Sequence, residues 1–361
     1  MQKDQVRFAV IGTGLAAAAH AKELAHVTGA RFAAVYARDC AKAEQFRARF
    51  QASKAYSSRE ELLDDSEIDA VIIGTPNALH REFAIAAAEA KKHVVVEKPL
   101  EITSARGRDI IDACNRHGVS LFVIYQMRYA EATAMLKEAI DDGALGKVIL
   151  VNVLDNKYRT PGYYAKDYWR GTREFEGGGC LITQTTHVLD LIQYLVGPVE
   201  SAFAHVKTSV HDIETEDLAV ATLKFRGGAL GVLSSTTAVF PAQRHIVTVM
   251  GTNGTISINA EHDQVILRNI REGGTCIDAP GGFAFRDSVE PVSFPTLRHR
   301  KQLQAITDRI RAGRVSNDTE AEYLQALYLT DAIYRSAAEG REVSLEEFRS
   351  PSFCGRSFSS P

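Results

Sequence analysis

Short β-branched apolar runs at residues 6–11, 32–36, 70–73, 94–96 and 119–123 alternate with helix-like stretches, and this rhythm constrains the chain most. A run that is apolar throughout is fully hidden only when both faces of its sheet are covered, so the alternation predicts βαβ units and a parallel sheet clothed by helices on both sides. From about residue 147 the texture changes to alternating strands at 202–210, 217–225, 229–237, 245–250 and 254–259, with turn signals such as Arg226-Gly227-Gly228 and Thr252-Asn253-Gly254 between them. That pattern predicts an open, mostly antiparallel sheet. Helical stretches near 179–195, 298–312 and 319–338 complete it. A chain of 361 residues exceeds what one core usually serves. The expectation is therefore an α/β domain over 1–123, an α+β domain over 124–349, and a mobile Ser-, Pro- and Gly-rich tail at 350–361.

The first run leads into Gly12-Thr13-Gly14-Leu15-Ala16-Ala17, which opens an alanine-rich helix. A strand, a G-x-G-x-x-A turn and a helix in this order form the dinucleotide fingerprint of a Rossmann domain: the first glycine permits the tight turn, the second lets backbone approach a pyrophosphate, and the alanine allows close helix packing. The second strand ends Val35-Tyr36-Ala37-Arg38-Asp39, where such a domain reads the ribose. A guanidinium there suits a 2′-phosphate, which makes NADP the expected cofactor with NAD as the alternative, Asp39 then holding the ribose. At the carboxyl end of another strand, where open α/β sheets bind ligands, stands Val96-Glu97-Lys98-Pro99. By spacing alone Glu97 and Lys98 would sooner be read as a solvated surface pair.

Composition excludes other classes. Net charge is -3 with both signs interspersed, so no nucleic-acid partner is expected. No segment approaches the length of a membrane span, and the N-terminus lacks the pattern of a secretory signal, which predicts a cytoplasmic protein without membrane partners. Cysteines 40, 114, 180, 276 and 354 have neither pairing nor zinc-ligand spacing. They are expected to be buried free thiols, and no metal is expected.

These pieces, with Thr75-Pro76-Asn77, His80, Trp169-Arg170-Gly171, Gly177-Gly178-Gly179 and His187 in the same order, resemble the Gfo/Idh/MocA family of glucose-fructose oxidoreductase, inositol dehydrogenase and related sugar dehydrogenases. The stretch from Trp169 to Gly197 looks most like members that oxidise nucleotide-linked sugars. The resemblance implies that Lys98 is the active-site lysine, that Thr75, Asn77, His80 and Glu97 line the cofactor channel, and that Trp169 and Arg170 touch the cofactor. Gly12, Thr13, Gly14, Leu15, Ala16, Arg38, Lys98 and Gln126 complete the candidate cofactor set. Many members carry aspartate four residues before the histidine; Thr183 stands there instead.

Chemistry points to the same histidine. Oxidising a secondary alcohol requires a base near the departing hydride, and histidine titrates near neutrality unaided. Lysine would need its pKa lowered by about 3 units, roughly 4–5 kcal/mol. His187 is therefore the expected proton acceptor and Lys98 a donor or relay, with the reverse assignment open. Thr183, Gln184, His187 and Leu191 are expected on one helical face. Candidate substrate residues are Lys98, Arg128, Arg159, Tyr164, Lys166, Thr183, Gln184 and His187. Lys157, Arg159, Lys166, Arg170 and Arg173, interleaved with Tyr158, Tyr163, Tyr164, Tyr168 and Trp169, suit an anionic sugar derivative, or else form a solvated loop. The function expected is hydride exchange with a secondary hydroxyl or ketone of a sugar or nucleotide-sugar. A glycosidase using transient oxidation and a non-catalytic sensor are the alternatives. The open sheet needs a cover, and a homodimer or homotetramer is expected to supply it.

Overall fold

The computed structural model describes residues 4–243, 245–271, 277–278, 296–313, 315 and 322–349. The chain divides into two compact units, one of Met1–Ile102, Arg106–Gln126 and Phe294–Leu324, the other of Thr103–Ala105, Met127–Ser293 and Gln325–Pro361.

The first unit holds six parallel strands: β1 (Val6–Ile11), β2 (Ala30–Tyr36), β3 (Lys54–Tyr56), β4 (Ala70–Ile73), β5 (His93–Val96) and β6 (Leu121–Val123). Their spatial order is β3-β2-β1-β4-β5-β6, so the chain reverses direction across the sheet between β1 and β4. This is the Rossmann order, whose switch point is where dinucleotides bind. Every residue of β4 is closed off from water, as the continuous apolar run demanded. Asp39 caps the helix Cys40–Phe50 by accepting the Lys42 N–H, and Ser58 caps Arg59–Asp64 through the Glu61 N–H. The helix Leu297–Arg311 sends Leu303, Ile306 and Ile310 into the same core as Val6, Phe8 and Val10. Its place in the first unit differs from the expected division at 123, because its apolar stripe fills that core.

The second unit is built on nine strands: β7 (Val148–Asn156), β8 (Val199–Lys207), β9 (Leu218–Phe225), β10 (Leu230–Thr236), β11 (Ile246–Gly251), β12 (Gly254–Asn259), β13 (Gln264–Ile270), β14 (Ile277–Asp278) and β15 (Val343–Ser344). They lie in the order β14-β13-β12-β11-β7-β10-β9-β8-β15, and among the described residues only the β7–β10 pair runs parallel. The sheet is open and mostly antiparallel, as expected. The helices Thr186–Val196 and Gln325–Glu339 pack on it, and residues along β9 alternate between buried and exposed. Ile149, Leu154, Val220, Leu230 and Val232 remain exposed on its strands. Cys114 and Cys180 are buried free thiols but Cys40 is exposed; Cys276, Cys354 and the expected tail lie outside the described residues.

Candidate active site

In the first unit the β1 turn is shaped by its glycines. Gly12 has φ +111°, and a Cβ there would meet the Gly74 carbonyl oxygen at 2.7 Å, so neither the backbone angle nor the space admits a side chain. Gly14 faces open space and begins the helix Leu15–Leu24 without any side-chain cap, leaving that helix start able to receive an anion. Ala17 packs against Gly74, the close approach that its small side chain allows. Thr13 is half-buried, and Leu15, Arg38 and Asp39 are exposed, with Asp39 Oδ1 accepting the Lys42 N–H at its helix cap. At the end of β4 the Thr75 hydroxyl is buried with no hydrogen-bond partner among the described residues. An uncapped helix start, a turn that tolerates only glycine and an orphaned buried hydroxyl on adjacent strands fit a dinucleotide.

At the end of β5, Glu97 is buried and forks. Its Oε1 lies 2.6 Å from His20 Nε2, and its Oε2 accepts the Lys98 backbone N–H at 3.1 Å. Burial works to raise its pKa, yet the hydrogen bond and charge of His20, with the charges of His299 and Lys98, hold it at about 2. The His299 ring stands edge-on to His20 at 5.4 Å, and burial, aided by His20, pushes its pKa down to about 4. His80 is fully buried, with its ring nitrogens 2.9 Å from the Pro99 carbonyl and 3.1 Å from the Thr75 carbonyl. Burial lowers its pKa, so the neutral ring donates to one carbonyl at a time and staples the Lys98-Pro99 turn to the β4 turn. Asn77 is buried, and Lys98 and Gln126 are half-buried.

In the second unit Tyr163 is a hub. Its hydroxyl accepts from Arg170 Nη1 at 2.6 Å and Gln184 Nε2 at 3.0 Å, and the guanidiniums of Arg170 and Arg159 lie over its ring at 4.3 and 5.3 Å. Arg170 also donates to Asp167 and stacks on Trp169 at 4.4 Å, while Arg159 Nη2 donates to Gln184 Oε1 at 2.8 Å. Tyr164 shares a 2.8 Å hydrogen bond with the Thr237 hydroxyl, and burial raises its pKa. Lys157 donates to the Gln184 carbonyl and lies 3.3 Å from buried Asp155, which also takes the Thr185 hydroxyl at 2.6 Å and has His245 Nδ1 at 3.0 Å. Arg173 donates to the Glu214 carbonyl. Of the five cations expected to meet an anion, four are therefore already engaged with the protein, and Lys166 is exposed.

The expected helix at 179–195 begins differently. Cys180–Thr185 winds as a wider i→i+5 turn, and only Thr186–Val196 is a regular α-helix. Gln184 consequently leaves the face predicted for His187 and turns to Arg159 and Tyr163. Buried Glu216 anchors the wide turn, accepting the Gly179 N–H at 2.9 Å and the Leu181 N–H at 3.0 Å. A Cβ on Gly179 would fall 1.8 Å from the Glu216 carbonyl oxygen, and one on Gly178 would fall 2.0 Å from the Tyr334 hydroxyl. The close approach that these two glycines permit is thus to the protein itself. Arg128, expected on the substrate, makes a bidentate pair with buried Asp190 at 2.8 and 2.5 Å and fixes the His187 helix. His187 sits in the first turn of that helix, 7% exposed.

Sequence reasoning did not single out His20, His299, Glu176, Glu216 or Asp155. Only Glu176, placed directly before the glycine run, stood beside a visible signal; the others are joined by contacts far apart in the chain.

Residues 6–125 match the family described as "Oxidoreductase family, NAD-binding Rossmann fold", and residues 133–257 match the "GFO/IDH/MocA C-terminal domain". The chain is 27% identical over 349 residues to myo-inositol 2-dehydrogenase of Thermotoga maritima, spanning 95% of this chain and 99% of that protein. It is 25% identical over 319 residues to scyllo-inositol 2-dehydrogenase (NADP(+)) of Bacillus subtilis, spanning 84% and 87%. Its structure resembles the WlbA dehydrogenase of Bordetella pertussis, solved with NADH and UDP-GlcNAcA, with a TM-score of 0.82, 29% identity and coverage of 94% and 98%. The chain belongs to the GFO/IDH/MocA family of NAD-binding oxidoreductases.

Proposed function

We propose that the protein exchanges a hydride between a nicotinamide dinucleotide and a secondary hydroxyl or ketone of a sugar or nucleotide-linked sugar. The observation that carries this reading is the row of strand ends in the first unit, where the glycine turn of β1, the orphaned Thr75 hydroxyl after β4 and the Lys98 backbone held by Glu97 after β5 stand side by side. The relatives' named activities support it, as does the NADH and nucleotide-sugar held by WlbA.

When bound, the dinucleotide supplies the hydride acceptor or donor. The chain's own residues do the rest. The uncapped helix start after Gly14 and the backbone of Gly12, Thr13, Leu15 and Ala16 receive the pyrophosphate, and Arg38 reaches a 2′-phosphate, making NADP the preferred cofactor and NAD the second choice. His187 takes the hydroxyl proton and Lys98 hydrogen-bonds the reacting oxygen. Stacked Trp169 and Arg170 hold the cofactor, while Arg159, Tyr164, Lys166, Thr183 and Gln184 shape the substrate subsite. The exposed apolar side chains on the second sheet suit a second copy of the chain, in a homodimer or homotetramer. Screening sugars and nucleotide-sugars with both cofactors, read by absorbance of the reduced nicotinamide, tests the function; no turnover with any of them contradicts it.

A further inference from the structure

The loop carrying Trp169 and Arg170 closes on itself. Thr172 Oγ1 donates to the Trp169 carbonyl at 2.7 Å, the Glu176 N–H donates to the Thr172 carbonyl at 3.0 Å, and the rings of Tyr168 and Phe175 meet at 5.5 Å. At the end of this loop Glu176, 1% exposed, turns its side chain inward. One carboxyl oxygen accepts the Gly171 N–H at 2.5 Å, and the residue runs directly into Gly177-Gly178-Gly179, which open the wide turn that leads into the His187 helix. Gly171 has φ +69°, and a Cβ there would meet Ile213 at 2.6 Å, so this backbone donor is held in place. Given the functional reading above, on which this step rests, we propose that Glu176 is a positioning residue, the buried link that sets the pose of the Trp169–Arg170 segment relative to the turn preceding His187.

The charges around it make that link respond to protons. Arg170 faces it from its own loop and is shared with Asp167 and Tyr163; Glu216 faces it from the segment before β9, with Tyr334 bonded behind; Tyr164 faces it from the helix Pro161–Ala165, with His211 stacked on that ring at 4.8 Å. Burial pushes the Glu176 carboxyl up to about 7; the Gly171 N–H, Thr183 and Arg170 act against burial, and Glu216 acts with it. Near neutrality the group therefore changes from one able to donate an O–H into one that only accepts, and its hold on the Gly171 N–H tightens as it ionises.

Trp169 is the one tryptophan in the chain and stacks on Arg170, so tryptophan fluorescence reports this segment without requiring a substrate. Wild-type emission, scanned through neutrality, is expected to show a step that is absent in Glu176→Gln, which keeps a donor and an acceptor but cannot ionise. Turnover should lose the same ionisation in Glu176→Gln, and kcat should fall about 10–100-fold in Glu176→Ala. A flat wild-type profile, or a step that persists in Glu176→Gln and so belongs to another group, overturns the proposal. Absence of hydride transfer by the wild type would strike the functional reading instead, and the fluorescence titration would still decide the role of Glu176.

Discussion

His20 and Glu97 meet at 2.6 Å, both sealed from water, and the carboxylate thereby held in place receives the Lys98 backbone N–H on its other oxygen. The ionisable pair that spacing alone would have left as a solvated neighbour pair is split between two environments: Glu97 is buried structure, and half-buried Lys98 is the group it presents. Glu97→Gln should therefore lower stability by about 1–3 kcal/mol, the scale for a charged buried hydrogen bond, and reduce turnover more than dinucleotide affinity. Urea unfolding and cofactor titration measure the two effects separately.

Acid should weaken this cluster in two stages. The His299 pKa lies at about 4 against an ordinary 6.5, so the unfolded chain binds its proton more tightly and stability falls as pH drops from 6.5 towards 4, by roughly 3 kcal/mol in full. Glu97, at about 2 against an ordinary 4.5, contributes stability that is complete above pH 4.5 and disappears as pH falls towards 2. His299→Gln should flatten the first slope and, by removing one of the charges that hold Glu97 down, also shrink the second. Urea midpoints measured at intervals across this range check it, and an unchanged upper slope in the variant would contradict it.

The two glycines of the β1 turn should separate folding from binding. Gly12→Ala places a Cβ against the Gly74 carbonyl at a positive φ and should cost about 1–3 kcal/mol of stability. Gly14→Ala meets nothing within 4 Å, at an ordinary φ of −76°, and should stay within about 0.5 kcal/mol in stability while weakening the dinucleotide. Thermal unfolding with and without cofactor distinguishes them.

Arg38→Ala should weaken NADP by about 1.5–3 kcal/mol and NAD far less, since only NADP offers the phosphate. Calorimetric titration with each cofactor measures the difference. Equal losses would return the ribose to Asp39.

What was legible in the sequence followed from local pattern. The runs at β1, β4 and β5 are apolar on both faces and could only be interior strands, and the glycine fingerprint sits where backbone angle and space both require it. β3 escaped because three half-exposed residues carry no burial pattern. The helix Leu297–Arg311 was readable as a helix but not as part of the first unit, because an apolar stripe does not name the core it fills. Residues 180–185 read as regular helix because three- and four-residue spacing cannot register an extra residue in a turn; Glu216, 37 residues beyond Gly179, holds that turn. Arg128 looked free for a ligand because Asp190, its partner, lies 62 residues away.

The most direct test of the central claim is the rate of nicotinamide reduction or oxidation against a panel of neutral sugars, uronic sugars and nucleotide-linked sugars, run with wild type, Lys98→Ala and His187→Ala. The account predicts turnover by the wild type with at least one sugar derivative, a loss of about 10²–10⁴-fold in kcat in each variant, and dinucleotide binding that stays measurable in both. Wild-type rates preserved in both variants, or no hydride exchange with any member of the panel despite tight dinucleotide binding, would contradict it.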